Sequence, residues 1–103
     1  MTNVKNLATS INYRDRVKAA YSPDADYEIL ENLSRDEDYS VRVAVAHARP
    51  EFRDMLVQDP EWPVRLAIAE EGSCLDILMN DPRAFVRTTA QLMAKKLGVT
   101  VNG

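Results

Sequence analysis

The chain has 103 residues, 46% hydrophobic and 28% charged, with 3 Gly and 5 Pro, a make-up that suits one ordinary globular domain burying roughly two thirds of its unfolded surface. That size excludes a large multi-domain enzyme, and 13 Lys and Arg against 16 Asp and Glu, net -3, exclude a protein drawn to polyanions by its overall charge. Cys74 is the one cysteine, so there is no internal disulfide, no Cys-x-x-Cys pair and no cysteine set for zinc or an iron–sulfur cluster.

In chain order, the first residues, Met1 to Leu7, lack an apolar stretch followed by a small-residue cleavage site. The longest apolar runs, Val43 to Ala46 and Leu66 to Ala69, are four residues, far below the roughly 20 that span a bilayer, and a cytoplasmic location is the expectation. Leu7, Ile11 and Tyr13 suggest a short capping helix. Tyr27–Leu33, Glu51–Leu56 and Cys74–Leu78 carry apolar residues three or four apart, which predicts one or two helical turns each, in part 3₁₀. Between them lie runs apolar on almost every side, such as Val41–Ala48, and a helix of that kind must be buried between neighbours. Ala44, Ala46, Ala67 and Ala69 would let such helices approach closely, and Pro63 suits a first turn, where its missing N–H costs nothing. The last helix is predicted to run on to Leu97, with a stripe of Phe85, Val86, Ala90, Met93 and Leu97. Lys95 and Lys96 complement its C-terminal dipole and Gly98 stands as its C′ residue; residues 98–103 form a tail expected to fray.

These elements repeat. Leu33-Ser-Arg-Asp36-Glu-Asp-Tyr-Ser-Val41-Arg42-Val-Ala44 recurs as Leu56-Val-Gln-Asp59-Pro-Glu-Trp-Pro-Val64-Arg65-Leu-Ala67 and again as Leu78-Met-Asn-Asp81-Pro-Arg-Ala-Phe-Val86-Arg87. A worn first copy places Asn12 for Asp and Val17-Lys18 for Val-Arg, so the Val positions step by 24, 23 and 22 residues. No unit of that length buries its apolar face alone, so the units must stack.

The pattern Leu-x-x-Asp-Pro-x-x-x-Val-Arg-x-Ala-x-Ala resembles the leucine-rich repeat variant family, related in shape to HEAT and armadillo solenoids, over roughly residues 9–97. The resemblance implies an all-α, short right-handed solenoid of about four repeats of 22–24 residues, alternating α with short 3₁₀ helices, at about 9–32, 33–55, 56–77 and 78–97 in one domain. A relative of this kind carries an iron–sulfur cluster on a separate cysteine-rich segment; the cysteines of that segment are absent here, so no cofactor and no metal are expected.

Each candidate site has a structural and a functional reading. The cations Lys18, Arg42, Arg65 and Arg87, one per repeat with Asp36, Asp59 and Asp81, are expected as bidentate pairs joining the loops of adjacent repeats; the alternative is an anion-binding stripe. Tyr39, Trp62 and Phe85 precede the buried helices as turn packing or as an edge facing a partner, with Phe85 directed inward. His47, with Arg49 close by, matches Pro23, Glu70 and Leu92 of the other units and has no companion for metal or nucleophile. Asp24 to Asp38 holds seven acids and one Arg, while residues 5–18 hold four cations and one acid, most simply solvated faces. Cys74 stands near a helix start, where a thiol pKa can fall, or is a packed small residue.

No phosphate loop, nucleophile elbow or metal-spaced His and Cys set is present in the sequence, and no catalytic residue is expected. The expected function is a non-enzymatic protein- or peptide-binding repeat module, an adaptor or scaffold, using Tyr39, His47, Arg49, Trp62, Glu70 and Gln91. The competing readings are a nucleic-acid-binding solenoid using the Lys/Arg ladder with Lys95 and Lys96, and a self-assembling repeat subunit. No membrane partner is expected, and the chain is read as a monomer or weak homo-oligomer.

Overall fold

The computed structural model describes residues 3–99 and forms two compact units, Met1–Phe52 and Arg53–Gly103. Among the described residues all regular structure is helical.

Unit 1 contains α1 (Val4–Ala8), α2 (Tyr13–Tyr21), α3 (Tyr27–Leu33), α4 (Tyr39–Ala48) and a 3₁₀ turn, Pro50–Phe52. The first N–H groups of a helix have no partner inside it, and a short polar side chain just ahead satisfies one of them. Unit 1 uses this device four times: Asn3, Asn12, Asp26 and Asp38 accept from the N–H groups of Lys5, Arg14, Ile29 and Ser40 at 2.8, 3.0, 2.9 and 2.9 Å. α2 packs against α1, α3 and α4. The core joins Ala19 and Ala20 of α2 to Leu30 and Leu33 of α3 and to Val41, Ala44, Val45 and Ala46 of α4. The small alanines bring the backbones close while the branched residues fill the remaining space. Phe52 is buried against Tyr27, ring centroids 5.4 Å apart.

Unit 2 contains α5 (Arg53–Leu56), α6 (Trp62–Glu70), α7 (Leu75–Leu78) and α8 (Ala84–Leu97). Val64, Ala67, Ile68 and Ala69 of α6, Leu75 and Leu78 of α7, and Val86, Ala90 and Ala94 of α8 form its core. α6 and α8 end alike. Gly72 and Gly98 take left-handed φ of 73° and 68°, which only glycine adopts without strain. The following N–H groups, of Ser73 and Val99, bond back to Ile68 and Ala94 at 3.1 and 2.9 Å, closing Schellman caps. The predicted end of the last helix is met at Leu97 and Gly98.

Several local expectations are corrected. The second halves of the units are α-helical turns in α3, α5 and α7, and 3₁₀ geometry is confined to Pro50–Phe52 among the described residues. Ile11 is fully exposed rather than part of a capping helix, which is α1. In the stripe predicted for α8, Val86 and Ala90 are buried, whereas Phe85 and Leu97 are more than half exposed because the burying face turns through Ala94 instead. The tail reading lies, for residues 100–103, outside the described residues.

Candidate functional site

The recurrent Asp and Arg form one local device. After each Leu-x-x-Asp the carboxylate accepts from the N–H two residues on, Asp36 from Asp38, Asp59 from Glu61 and Asp81 from Arg83, at 2.9, 2.9 and 2.8 Å. The side chain thereby closes the turn that launches the next helix. Six residues after the Asp, an arginine Nη1 donates back to that Asp's carbonyl: Arg42 to Asp36, Arg65 to Asp59, Arg87 to Asp81. With Nη1 anchored, the other edge of the guanidinium is a planar fork. In unit 2 Arg65 Nε and Nη2 grip both oxygens of Asp81 at 2.7 and 3.2 Å, with only 14% and 4% of the two side chains exposed.

Unit 1 repeats the arrangement and corrects the register of the first copy. Arg16, not Lys18, donates Nη1 to the Ser10 carbonyl at 2.8 Å and grips Asp36 with Nε and Nη2 at 2.8 and 3.2 Å. The hydrogen bond to Asp36 raises the Arg16 pKa further. Ser10 stands where the other turns have Asp, accepting from the Asn12 N–H at 3.1 Å, and Asn12 caps α2 instead of being the turn acid. Lys18 is exposed. The signal was present in the six-residue spacing from Ser10 to Arg16, hidden because Ser replaces Asp and Asp15 replaces the core valine. Both bidentate pairs are thus structural clamps, which removes Arg16 and Arg65 from any open anion stripe.

The ridge proposed for partner contact is split by the geometry. Arg49 turns inward: its Nε and Nη2 donate to the Ala20 and Ser22 carbonyls, at 3.2 and 2.6 Å, and close the C-terminus of α2. It is a structural residue. His47 is half-buried near the end of α4 and makes further interactions. Tyr39, at the start of α4, is 45% exposed beside an open cleft of about 480 Å³ that Ile11, Tyr13, Arg16, Glu37 and Asp38 also line. Glu70 and Gln91 are exposed on α6 and α8.

Unit 2 carries an aromatic surface. Trp62 is half-buried at the start of α6 with Phe85 against it, centroids 6.0 Å apart, and the Arg83 guanidinium 4.6 Å from the indole centroid. Arg83 is exposed, and a cation over an indole face is attracted by the ring quadrupole. Phe85 and Leu92 are 62% and 63% exposed, and with Ala84, Thr88 and Thr89 they line a shallow depression of about 570 Å³. Phe85 thus does not pack inward, because its position on α8 lies opposite Val86 and Ala90. From Arg83 to Leu97 there are four cations and no acid. Sequence reading picked out Trp62 and Phe85 but missed Arg83, whose role depends on the indole lying beside it.

Cys74 is half-buried with a left-handed φ of 53°, and burial together with the nearby Asp54 carboxylate pushes its thiol up to about 11. Of the two readings of Cys74, the lowered thiol is overturned, because an acid, not the first N–H groups, faces the sulfur at 3.5 Å. Among the described residues no three His, Cys, Asp or Glu side chains gather as metal ligands, and no helix is long and apolar enough to cross a membrane. Comparison with family models, with curated proteins and with solved structures gives no match for this chain.

Proposed function

We infer that the chain is a non-enzymatic repeat module of the leucine-rich repeat variant kind, a short right-handed solenoid of about four units that binds a protein or peptide. The turn device supports the repeat reading, since the same Asp-to-N–H and Arg-to-carbonyl bonds recur at the same spacing in both units. The binding reading rests on one observation: Phe85 and Leu92, large apolar side chains more than 60% exposed, line one depression, and Phe85 lies against a Trp62 already stacked by Arg83. Aromatic and arginine side chains on a partly preorganised surface are the usual anchors of protein recognition.

Trp62 is the one tryptophan, so its emission reports directly on this surface. Capture of a nuclease-resistant protein partner from the source cytoplasm, with a Trp62 emission shift on adding it back, is the expected result. Phe85→Ser with Leu92→Ser should abolish both while leaving the melting temperature within a few degrees, as exposed positions do. Retention of nucleic acid that is lost at high salt and on substituting Lys95 and Lys96 would overturn this reading in favour of the polyanion-binding one.

A further inference from the structure

Two groups in the turn device are left unmatched, and they are complementary. Arg87 has its Nη1 tied to the Asp81 carbonyl at 2.8 Å, as in Arg16 and Arg65, yet no carboxylate meets its remaining fork among the described residues. In unit 1 the mirror vacancy lies at the first turn. Ser10 occupies the place of the gripped Asp, and its hydroxyl donates to Asp15 at 2.7 Å. Asp15 is the third residue of α2, where α4, α6 and α8 carry the fully buried valines Val41, Val64 and Val86. It is only half-buried, and no cation pairs with it among the described residues. Leu7, three residues before Ser10 as Leu33, Leu56 and Leu78 precede their aspartates, is also half open while those three are buried.

A carboxylate on a core position, beside a half-covered leucine that elsewhere in the repeat is buried, marks a surface suited to one more unit. A guanidinium fork held in the geometry that grips a carboxylate marks a complementary surface. We propose that the chain associates with a second copy of itself, the Arg87 fork of one copy gripping the Ser10–Asp15 pair of another. Charge complementarity selects this occupant, since Arg87 lies in a stretch of four cations without an acid and its counterpart is a carboxylate already hydrogen-bonded into the turn. The contact is heterologous, two different surfaces meeting, so it extends beyond two copies unless it closes into a ring. Thr88, Thr89 and Gln91 stand where α6 has Leu66, Ala67 and Ala69, which makes the surface more polar than an internal one and the association weak and reversible.

Sedimentation equilibrium of the whole chain across micromolar to millimolar concentration tests this. The wild type should show an average mass rising with concentration above that of a single chain, less so at high salt. Arg87→Lys keeps the charge but removes the fork, and should weaken association at least about tenfold. Arg87→Glu alone and Asp15→Arg alone should each remain single chains, and an equimolar mixture should associate again, because the Arg87 kept by one variant then meets the Asp15 kept by the other, and the swapped charges also face each other. Circular dichroism melting shows that each variant is folded. A wild type that stays a single chain throughout, or variants that associate as it does, would overturn the proposal. Thr88 and Thr89 also line the depression of Phe85 and Leu92, so the charge-swap pair, which changes neither Phe85 nor Leu92, is what keeps this test separate from that of the partner-binding surface.

Discussion

In unit 1 the long helices α2 and α4 begin on Asn12 and Asp38, whose side chains cap them, whereas in unit 2 α6 and α8 begin on Glu61 and Arg83, which make no capping bond. Both units nonetheless close the preceding turn in the same way, through the Asp36, Asp59 and Asp81 carboxylates. Unit 2 adds Pro60 and Pro82 in those turns and Pro63 in the first turn of α6, and proline fixes φ near the value a helix start needs. With the turn already stiff, the residue before the helix is released from capping. Arg83 uses that freedom to lie over Trp62, while its counterpart Asp38 is held to its own backbone. The contrast shows how one turn pattern can leave the residue before a helix bound to its own backbone in one unit and stacked on an indole in the other.

The sharpest way to break this comparison is to remove a clamp. Arg65→Ala leaves the Asp81 carboxylate, 4% exposed, without its cation and is expected to cost about 3–5 kcal/mol, measured by urea unfolding. Arg16→Ala should cost less, because Asp36 retains more access to water. Equal losses would mean that the two clamps are energetically the same. A smaller effect separates the caps: Asp38→Ala should cost about 1 kcal/mol, and Glu61→Ala no more than a few tenths. A comparable loss at Glu61 would remove the idea that the prolines free the capping position.

A further contrast is read by pH at the start of the short helices, where Asp26 caps α3 but Cys74 begins α7 without a capping bond. With its thiol pushed from 9.0 up to about 11, the folded protein holds a proton that the unfolded chain loses first. Stability is therefore expected to fall as pH rises from about 9 to 11, a slope that Cys74→Ala should reduce. Alkylation of the folded protein at pH 8 should run about a hundredfold slower than that of the unfolded chain, in proportion to its thiolate.

The periodic parts of the molecule were legible in the chain. The Leu-x-x-Asp turns, the buried Val-Arg-x-Ala helices and the glycine stop after Leu97 all rest on local rules that spacing carries. Where the repeat is worn, spacing misled: Ser10 and Asp15 replace the two marker residues, and Arg16 was passed over for Lys18. The ridge reading failed at Arg49 because nothing in the local sequence says that its guanidinium reaches carbonyls 27 and 29 residues earlier.

The sequence by itself therefore determined the helices, their stops and the residues that bury them, because apolar period, capping and turn chemistry act within a few residues of the chain. Tertiary structure decided which polar side chains remain available. Arg16, Arg49 and Arg65 are consumed by partners distant in sequence, Arg83 is held out over an indole, and among the described residues no carboxylate meets the fork of Arg87. The same guanidinium can clamp, stack or bind, and only the groups that folding brings within about 3 Å of it select among these.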